Sequence, residues 1–434
     1  MNNANKTNNA TFNGESSVAM PSAEEIKKQL NAANTHALCE DFSTLSIKVK
    51  KKPLALFFGR ETFSDNTKYL FLSCARNKPD FDFMWCTWNQ DLHSTLLQNN
   101  LPSFFLGGDI KITIELMLEA SVAVFCENPW TAFKGIPFLK ECLAGAKLVQ
   151  LWHGVSVKHL DLMLIPRLNV LDNNFRSAIC AASTVDYLSS SSSRLDGFWQ
   201  QAFGIQNLLR VGQPRNEVIL RDPFDLEYIG SMLSDSEAKK FESSEINILV
   251  APTWQRGNPT WLTTGPFYAA LEAIGNANNF NFFLKLHPFL RGQVQENMFH
   301  EKFKRITFLD AGLDIYPWLK IFSALITDYS SIMFDYILTG NPVLTYEINE
   351  DSRLPFEPDF SLVPDLPFSY KFQEKTLTET LLSALNGHSL RQAQNDMASA
   401  IYETEPLQSS KKLLTFIAKL THETAGKRST IIDI

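Results

Sequence analysis

Short, uninterrupted apolar runs recur along this chain and limit what it can fold into. LALFF (54–58), FDFMW (81–85), PSFFL (102–106), SVAVF (121–125), KLVQLW (147–152) and LLRV (208–211) follow one another. Helical stretches such as DIKITIELMLEA (109–120) lie between them. A strand with one wet face alternates polar and apolar residues, whereas a strand covered on both faces is continuously hydrophobic. The first half therefore reads as a parallel sheet sandwiched by helices. A polar, charged segment, DPFDLEYIGSMLSDSEAKKFESSE (222–245), interrupts this pattern and marks a domain junction. The pattern restarts with INILVA (246–251), FNFFLKL (280–286), RITFL (305–309), ALIT (324–327) and PVLTY (342–346). The expected layout is a polar tail with a short helix capped by Ser22 (1–46), then two doubly wound α/β domains (47–222 and 245–375). C-terminal helices follow (376–434), among them QSSKKLLTFIAKL (408–420).

Several function classes fall away on composition. The net charge of -7 removes the usual electrostatic support for nucleic-acid binding. The six cysteines include no C-x-x-C pair and no cysteine–histidine spacing suited to zinc, so they read as reduced thiols. The N-terminus, MNNANKTNNATFNGESS, has no apolar core of a secretory signal, and no run of about 18 apolar residues suggests a transmembrane helix. A cytoplasmic protein is expected.

In open α/β sheets, ligands bind beyond the carboxyl ends of the strands, so the residues following each apolar run are the candidate site. After KLVQLW come His153 and Gly154. After INILVA come Thr253, Trp254 and Arg256. Lys285 and His287 end FNFFLKLHP, and Asp328, Ser330 and Ser331 follow ALIT. Gly212, Pro214 and Arg215 follow LLRV. His153 titrates near neutrality, which suits a general base, and Gly154 lets a substrate approach the backbone. A structural imidazole bonded to a neighbouring carbonyl is the alternative. His287 and Lys285 could hold a phosphate oxygen. Ser330 and Ser331 open an apolar helical run ending near Gly340, and a helix N-terminus attracts phosphate; a serine that merely caps the helix fits equally. Asp335 and Tyr336, inside that run, read as structural. Arg215 in GQPRNE can grip phosphate bidentately, or be a solvated surface charge. The serine run 189–193 lacks a G-x-S-x-G elbow and reads as a strand-to-helix connection. The P-loop and dinucleotide fingerprints are missing, and no D-x-D follows a strand, so neither metal nor cofactor is called for.

Taken in order, SDNTKYL (64–70), LWHGVSVKHL (151–160), GQPRNE (212–217), APTWQR (251–256), KLHP (285–288) and DIYPWL…LITDYSSIMFDYILTGNPV (314–343) resemble the CDP-glycerol:poly(glycerophosphate) glycerophosphotransferases. That family makes teichoic acids and related capsular polymers. The resemblance implies a GT-B-like fold, with the active site between two domains and the acceptor on the first. It implies that His153 and His287 are catalytic, and that Arg215, Asp328, Ser330 and Ser331 contact the donor phosphate and the glycerol phosphate; Lys285 and Arg256, from their strand-end positions, are counted with them as phosphate-binding. The implied partners are a CDP-polyol donor and a polymer or lipid-linked acceptor, with peripheral contact at the inner membrane face. KKLLTFIAKL (411–420) is one candidate for that contact, though packing on the protein is the simpler reading of its apolar face.

The chain departs from the family pattern after WHG, where Val155, Ser156 and Val157 replace Thr-Pro. It also departs at Glu217, where Asp is common, and at Gln255, which separates APTW from Arg256. Glycerol phosphate is the first expectation for the group moved, with ribitol phosphate or another polyol phosphate open. Two other classes remain: a nucleotide-sugar glycosyltransferase on the same fold, separable by donor screening, and a non-catalytic scaffold, which would have lost the histidines.

Overall fold

In the computed structural model the apolar runs form two parallel sheets; residues 23–170, 185–241, 245–253, 261–286, 303–348, 363 and 366–425 are described. The first sheet holds β1 (Leu54–Phe58), β2 (Asp82–Thr87), β3 (Ser103–Phe105), β4 (Val122–Phe125), β5 (Lys147–Gln150), β6 (Tyr187–Ser190) and β7 (Leu208–Arg210). Their order is β3-β2-β1-β4-β5-β6-β7. The second sheet holds β8 (Ile246–Val250), β9 (Phe280–Leu284), β10 (Ile306–Phe308), β11 (Ala324–Thr327), β12 (Val343–Tyr346) and β13 (Tyr370–Phe372), ordered β10-β9-β8-β11-β12-β13. Neighbouring strands pair in parallel in both sheets. Every residue of β1, β4, β9 and β11 is buried, as continuous hydrophobicity requires. Each fully buried Leu or Phe contributes about 1.5–3 kcal/mol relative to exposure.

Each sheet reverses its winding once, between β1 and β4 in the first and between β8 and β11 in the second. Helices leaving such a pair depart to opposite faces and leave a crevice at the strand ends. Here both crevices open onto one cleft between the halves. One hydrophobic cluster runs beneath it, joining Val155, Val157 and Val218 of the first half to Leu319, Phe322, Met333 and Phe334 of the second.

Two features differ from the sequence expectation. The N-terminal helix is long rather than short: α1 spans Ala23–Lys48, and Ser22, its expected cap, lies outside the described residues. The serine run does lead from a strand to a helix, from the end of β6 into the 3-10 turn Ser193–Leu195, and Ser189 and Ser190 donate their hydroxyls to Gly212 O (3.0 Å) and Ser192 O (3.1 Å). The helix Ser409–Ala425 crosses back to the first half, where Leu413, Ile417 and Leu420 join Ala55, Phe57, Leu70, Val122 and Val149 in one core. Its first turn is tied there by the Ser410 N–H, which donates to Glu217 Oε1 at 2.6 Å. The apolar stripe of KKLLTFIAKL is thus spent on protein packing. No helix among the described residues is long and apolar enough to cross a membrane.

Candidate active site

The cleft encloses about 570 Å³ and draws its walls from both halves. Arg60, Asp65, Trp88, Glu127, His153, Gly154, Lys158 and Arg215 come from the first half; Thr253, Lys285, Tyr316, Tyr329, Ser330 and Ser331 come from the second. His153, Arg215, Lys285, Ser330 and Ser331, expected at strand ends, are therefore brought together. Asp328 lies directly beneath. His287 and Arg256 lie outside the described residues.

His153 sits in a turn with unusual backbone. Trp152 adopts φ 57° and Gly154 φ 115°, both left-handed, and the flanking imidazole stacks on the Trp152 indole with ring centres 4.2 Å apart. Gly154 is required there: a Cβ would stand 2.5 Å from Arg215 Nη2 and 3.6 Å from Ser331 Cβ. The two carbonyls of the turn are held from outside. Asn66 Nδ2 donates to Trp152 O at 2.8 Å, and Arg215 Nη2 donates to His153 O at 2.8 Å. His153 Nδ1 is buried and has no hydrogen-bond partner among the described residues, so the ring is not a structural imidazole bonded to a carbonyl through that atom. Burial pushes its pKa down to about 3, helped by the charges of Arg60, Arg215 and Lys158 and opposed by Asp65. The ring is neutral at physiological pH, with a lone pair to give.

Arg215 is neither a solvated surface charge nor an open phosphate fork. Its side chain is 5% exposed and its guanidinium lies between two carboxylates, with Nη1 on Asp65 Oδ1 at 2.7 Å and Nη2 on Asp335 Oδ2 at 2.7 Å. Arg60 adds a second cation, bonding Asp65 at 3.2 Å and Glu127 at 2.8 Å. Burial alone would raise the Asp65 carboxyl, but Arg215 and Arg60 hold it well below the usual carboxylate range. Asp335 accepts four donors: Arg215, the Tyr316 hydroxyl at 2.6 Å, the Tyr402 hydroxyl at 2.7 Å and Asn216 Nδ2 at 3.0 Å.

The second half builds its wall differently. Asp328 is buried, which pushes its pKa up, and Oδ1 accepts the backbone N–H groups of Thr253 (2.9 Å) and Tyr329 (2.7 Å). It thereby fixes the loops after β8 and β11 relative to each other. Lys285 is half-buried and donates to Ala311 O at 2.6 Å. Ser330 and Ser331 are half-buried on the cleft and precede only a short helix, Ile332–Tyr336, continued as a 3-10 turn, Ile337–Thr339, up to Gly340 (φ 73°). Ser331 makes no side-chain cap. Its hydroxyl is thus not spent on capping, while a helix this short supplies a smaller dipole than the sequence suggested.

Sequence reasoning about strand ends passed over Arg60, Asp65, Glu127, Lys158 and Tyr316. Asp65 lay inside SDNTKYL and Tyr316 inside DIYPWL, segments quoted for resemblance without a chemical role. Asp65 opens the helix Asp65–Asn77 at a left-handed φ of 74°, and nothing local in the sequence signals its ion pair 150 residues away.

Two doubly wound parallel sheets facing one cleft at their switch points define a GT-B-like α/β protein. The family model for CDP-Glycerol:Poly(glycerophosphate) glycerophosphotransferase matches residues 41–352, and the chain belongs to that family. It is 24% identical over 332 residues to the teichoic acid ribitol-phosphate polymerase TarK of Staphylococcus aureus, covering 74% of this chain and 60% of that protein. It is 23% identical to the teichoic acid poly(glycerol phosphate) polymerase of Staphylococcus epidermidis, covering 74% of this chain and 44% of that one. The chain thus spans about half the length of these two relatives. It is 25% identical to the teichoic acid glycerol-phosphate transferase of Staphylococcus aureus, with 75% and 82% covered. Among solved structures, the wall teichoic acid polymerase TagF shares the fold with a TM-score of 0.65 at 20% identity, covering 94% of this chain and 100% of that one. The UDP-GlcNAc 2-epimerase of Methanocaldococcus jannaschii reaches 0.51 at 15% identity, with 84% and 99% covered.

Proposed function

We propose that this chain transfers a polyol phosphate from a CDP-activated donor to a hydroxyl of a cell-envelope polymer or lipid-linked acceptor, releasing CMP. The single observation that carries the chemistry is the placement of the His153 imidazole on the cleft, on a turn whose carbonyls are held by Asn66 and Arg215. The acceptor hydroxyl attacks the distal phosphorus of the donor; a new O–P bond forms, the bridging P–O bond breaks, and CMP carries away the electron pair. His153 takes the hydroxyl proton. Arg60 and Lys158, which lower its basicity, line the cleft where a donor's diphosphate would offset them. Bound donor therefore raises the imidazole's proton affinity when a proton must be accepted. Lys285, Ser330 and Ser331 supply donors for the transferred phosphate and Asp328 holds their loops. His287 and Arg256 join them in this reading on the strength of their motifs. Positioning and charge stabilisation do most of the work in such transfers.

Glycerol phosphate is the first candidate for the group moved and ribitol phosphate the second; relatives bearing both names are similar to this chain to nearly the same degree. The acceptor lies on the first-half wall, and the protein works in the cytoplasm with its acceptor at the inner membrane face. The test is CMP release from CDP-glycerol and from CDP-ribitol with a panel of acceptors. Wild type turns over at least one donor, and His153→Ala lowers the rate by about 10²- to 10⁴-fold with its circular dichroism unchanged. Equal rates in mutant and wild type remove His153 from the mechanism. Turnover of nucleotide sugars alone replaces the reading with a glycosyltransferase.

A further inference from the structure

The cluster around Arg215 has more carboxylates than cations. Arg215 and Arg60 stand among Asp65, Asp335 and Glu127, so the group as a whole offers a phosphate no excess positive charge. A phosphate seeking Arg215 would have to displace two carboxylates bonded at 2.7 Å, inside a site where their desolvation has already occurred. Of its five N–H groups three are engaged; Nε is buried and unpartnered among the described residues. What Arg215 does reach is the His153 peptide, at 2.8 Å, and it does so with the same Nη2 that holds Asp335.

We propose that Arg215 is a positioning residue: it fixes the left-handed turn carrying His153 and, through Asp335, makes that placement depend on the docking of the second half against the first. The turn needs such support because Trp152, a bulky residue, is held at positive φ, a conformation that persists only when its surroundings over-determine it. Asn66 fixes the carbonyl before His153 and Arg215 the one after, and the two clamps are themselves joined, since the Arg215 N–H donates to Asn66 Oδ1 at 3.2 Å. Asp335 belongs to the second half, does not line the cleft, and is held by Tyr316 and Tyr402 from other segments of that half. A shift of one half against the other therefore pulls on Nη2 and on the His153 carbonyl together. The aromatic face of Tyr316, 4.6 Å from the guanidinium carbon, leaves it little freedom to follow any other path.

This inference rests on His153 being the base, and the experiment separates the two. Arg215→Lys keeps the charge but cannot reach Asp65, Asp335 and the His153 carbonyl at once. Steady-state kinetics of Arg215→Lys and Asp335→Asn are compared with wild type, together with CMP affinity by calorimetry and the titration of the His153 ring by NMR on labelled protein. Lys68→Met, which removes a buried cross-half ion pair that does not touch the His153 turn, is the control for general destabilisation. The expected result is a kcat lowered by at least about tenfold in both variants, with donor KM and CMP affinity within about threefold of wild type, a shifted His153 ring signal, and kcat preserved in Lys68→Met. A raised KM and weakened CMP binding with kcat preserved would make Arg215 a phosphate ligand and overturn the proposal. If wild type turns over no CDP-polyol, the reading of the reaction falls while the NMR arm still decides: an unchanged His153 signal in Arg215→Lys ends the positioning role.

Discussion

Two buried ionic clusters cross from one half to the other, and they differ in what they touch. In the first, Arg215 joins Asp65 to Asp335 and holds the His153 carbonyl. In the second, Lys68 in α2 (Asp65–Asn77) is completely buried and donates to Asp314 Oδ2 at 2.8 Å and Glu227 O at 2.7 Å, while the Tyr69 hydroxyl shares that carboxylate oxygen at 2.7 Å. Burial pushes the Lys68 pKa down against the pull of Asp314. Both clusters have the same cost structure, since a buried pair gains little over apolar packing but breaking it strands a charge. The first bonds the turn that carries His153 directly, whereas the second reaches it through Tyr316, whose N–H donates to Asp314 Oδ1 at 3.2 Å and whose hydroxyl holds Asp335. Substitutions in each cluster test whether fastening and positioning are separable.

The largest effect is expected at Asp335. Asp335→Ala leaves Arg215 and three other donors without their acceptor and should lower stability by about 3–5 kcal/mol, read from urea midpoints, in addition to its loss of turnover. Lys68→Met leaves Asp314 with the Tyr69 hydroxyl and backbone donors, so about 3 kcal/mol is expected, with kcat retained. An equal loss of kcat from Lys68→Met would erase the distinction between the clusters. Gly154→Ala puts a methyl into Arg215 Nη2 at a left-handed φ; about 1–3 kcal/mol and a fall in kcat are expected. Tyr402→Phe removes one of four donors to Asp335 and should cost about 1 kcal/mol.

Acidification gives the most diagnostic change. His153 carries a folded pKa of about 3, against about 6.5 in an unfolded chain. The unfolded state binds the extra proton in that window, so stability is full above it and declines as pH falls. Asp65, also depressed, adds to the decline below the ordinary carboxylate pKa of about 4. Denaturation midpoints at about pH 7.5 and about pH 5 should differ by less in His153→Gln than in wild type. An unchanged difference would show that the imidazole is not held neutral by its surroundings.

How legible these features were depended on range. Strands such as β1 and β9 stood out because burial on both faces writes itself locally as uninterrupted apolar residues. Two strands did not: β6 hides among serines that bond to backbone carbonyls, and β13, at the sheet edge, is three residues with a central exposed Lys371. At the site, His153, Ser330 and Ser331 were visible because topology alone puts strand ends in the crevice. The engagement of Arg215 was not, since its partners lie 150 and 120 residues away and nothing in GQPRNE announces a carboxylate. Asp335, read as structural from its place within a helix, does pack as a buried acceptor, and through Arg215 it reaches the site.

The return of the helix Ser409–Ala425 to the first sheet bears on how the chain is made. Leu413, Ile417 and Leu420 complete a core whose other members, from Ala55 to Leu151, emerge from the ribosome far earlier. During synthesis the first half therefore waits with part of an apolar face exposed, beside the share that Leu70, Phe71 and Leu96 cover, until residues near 420 arrive. A chaperone that shields exposed hydrophobic surface has the longest opportunity to engage the half that is synthesised first.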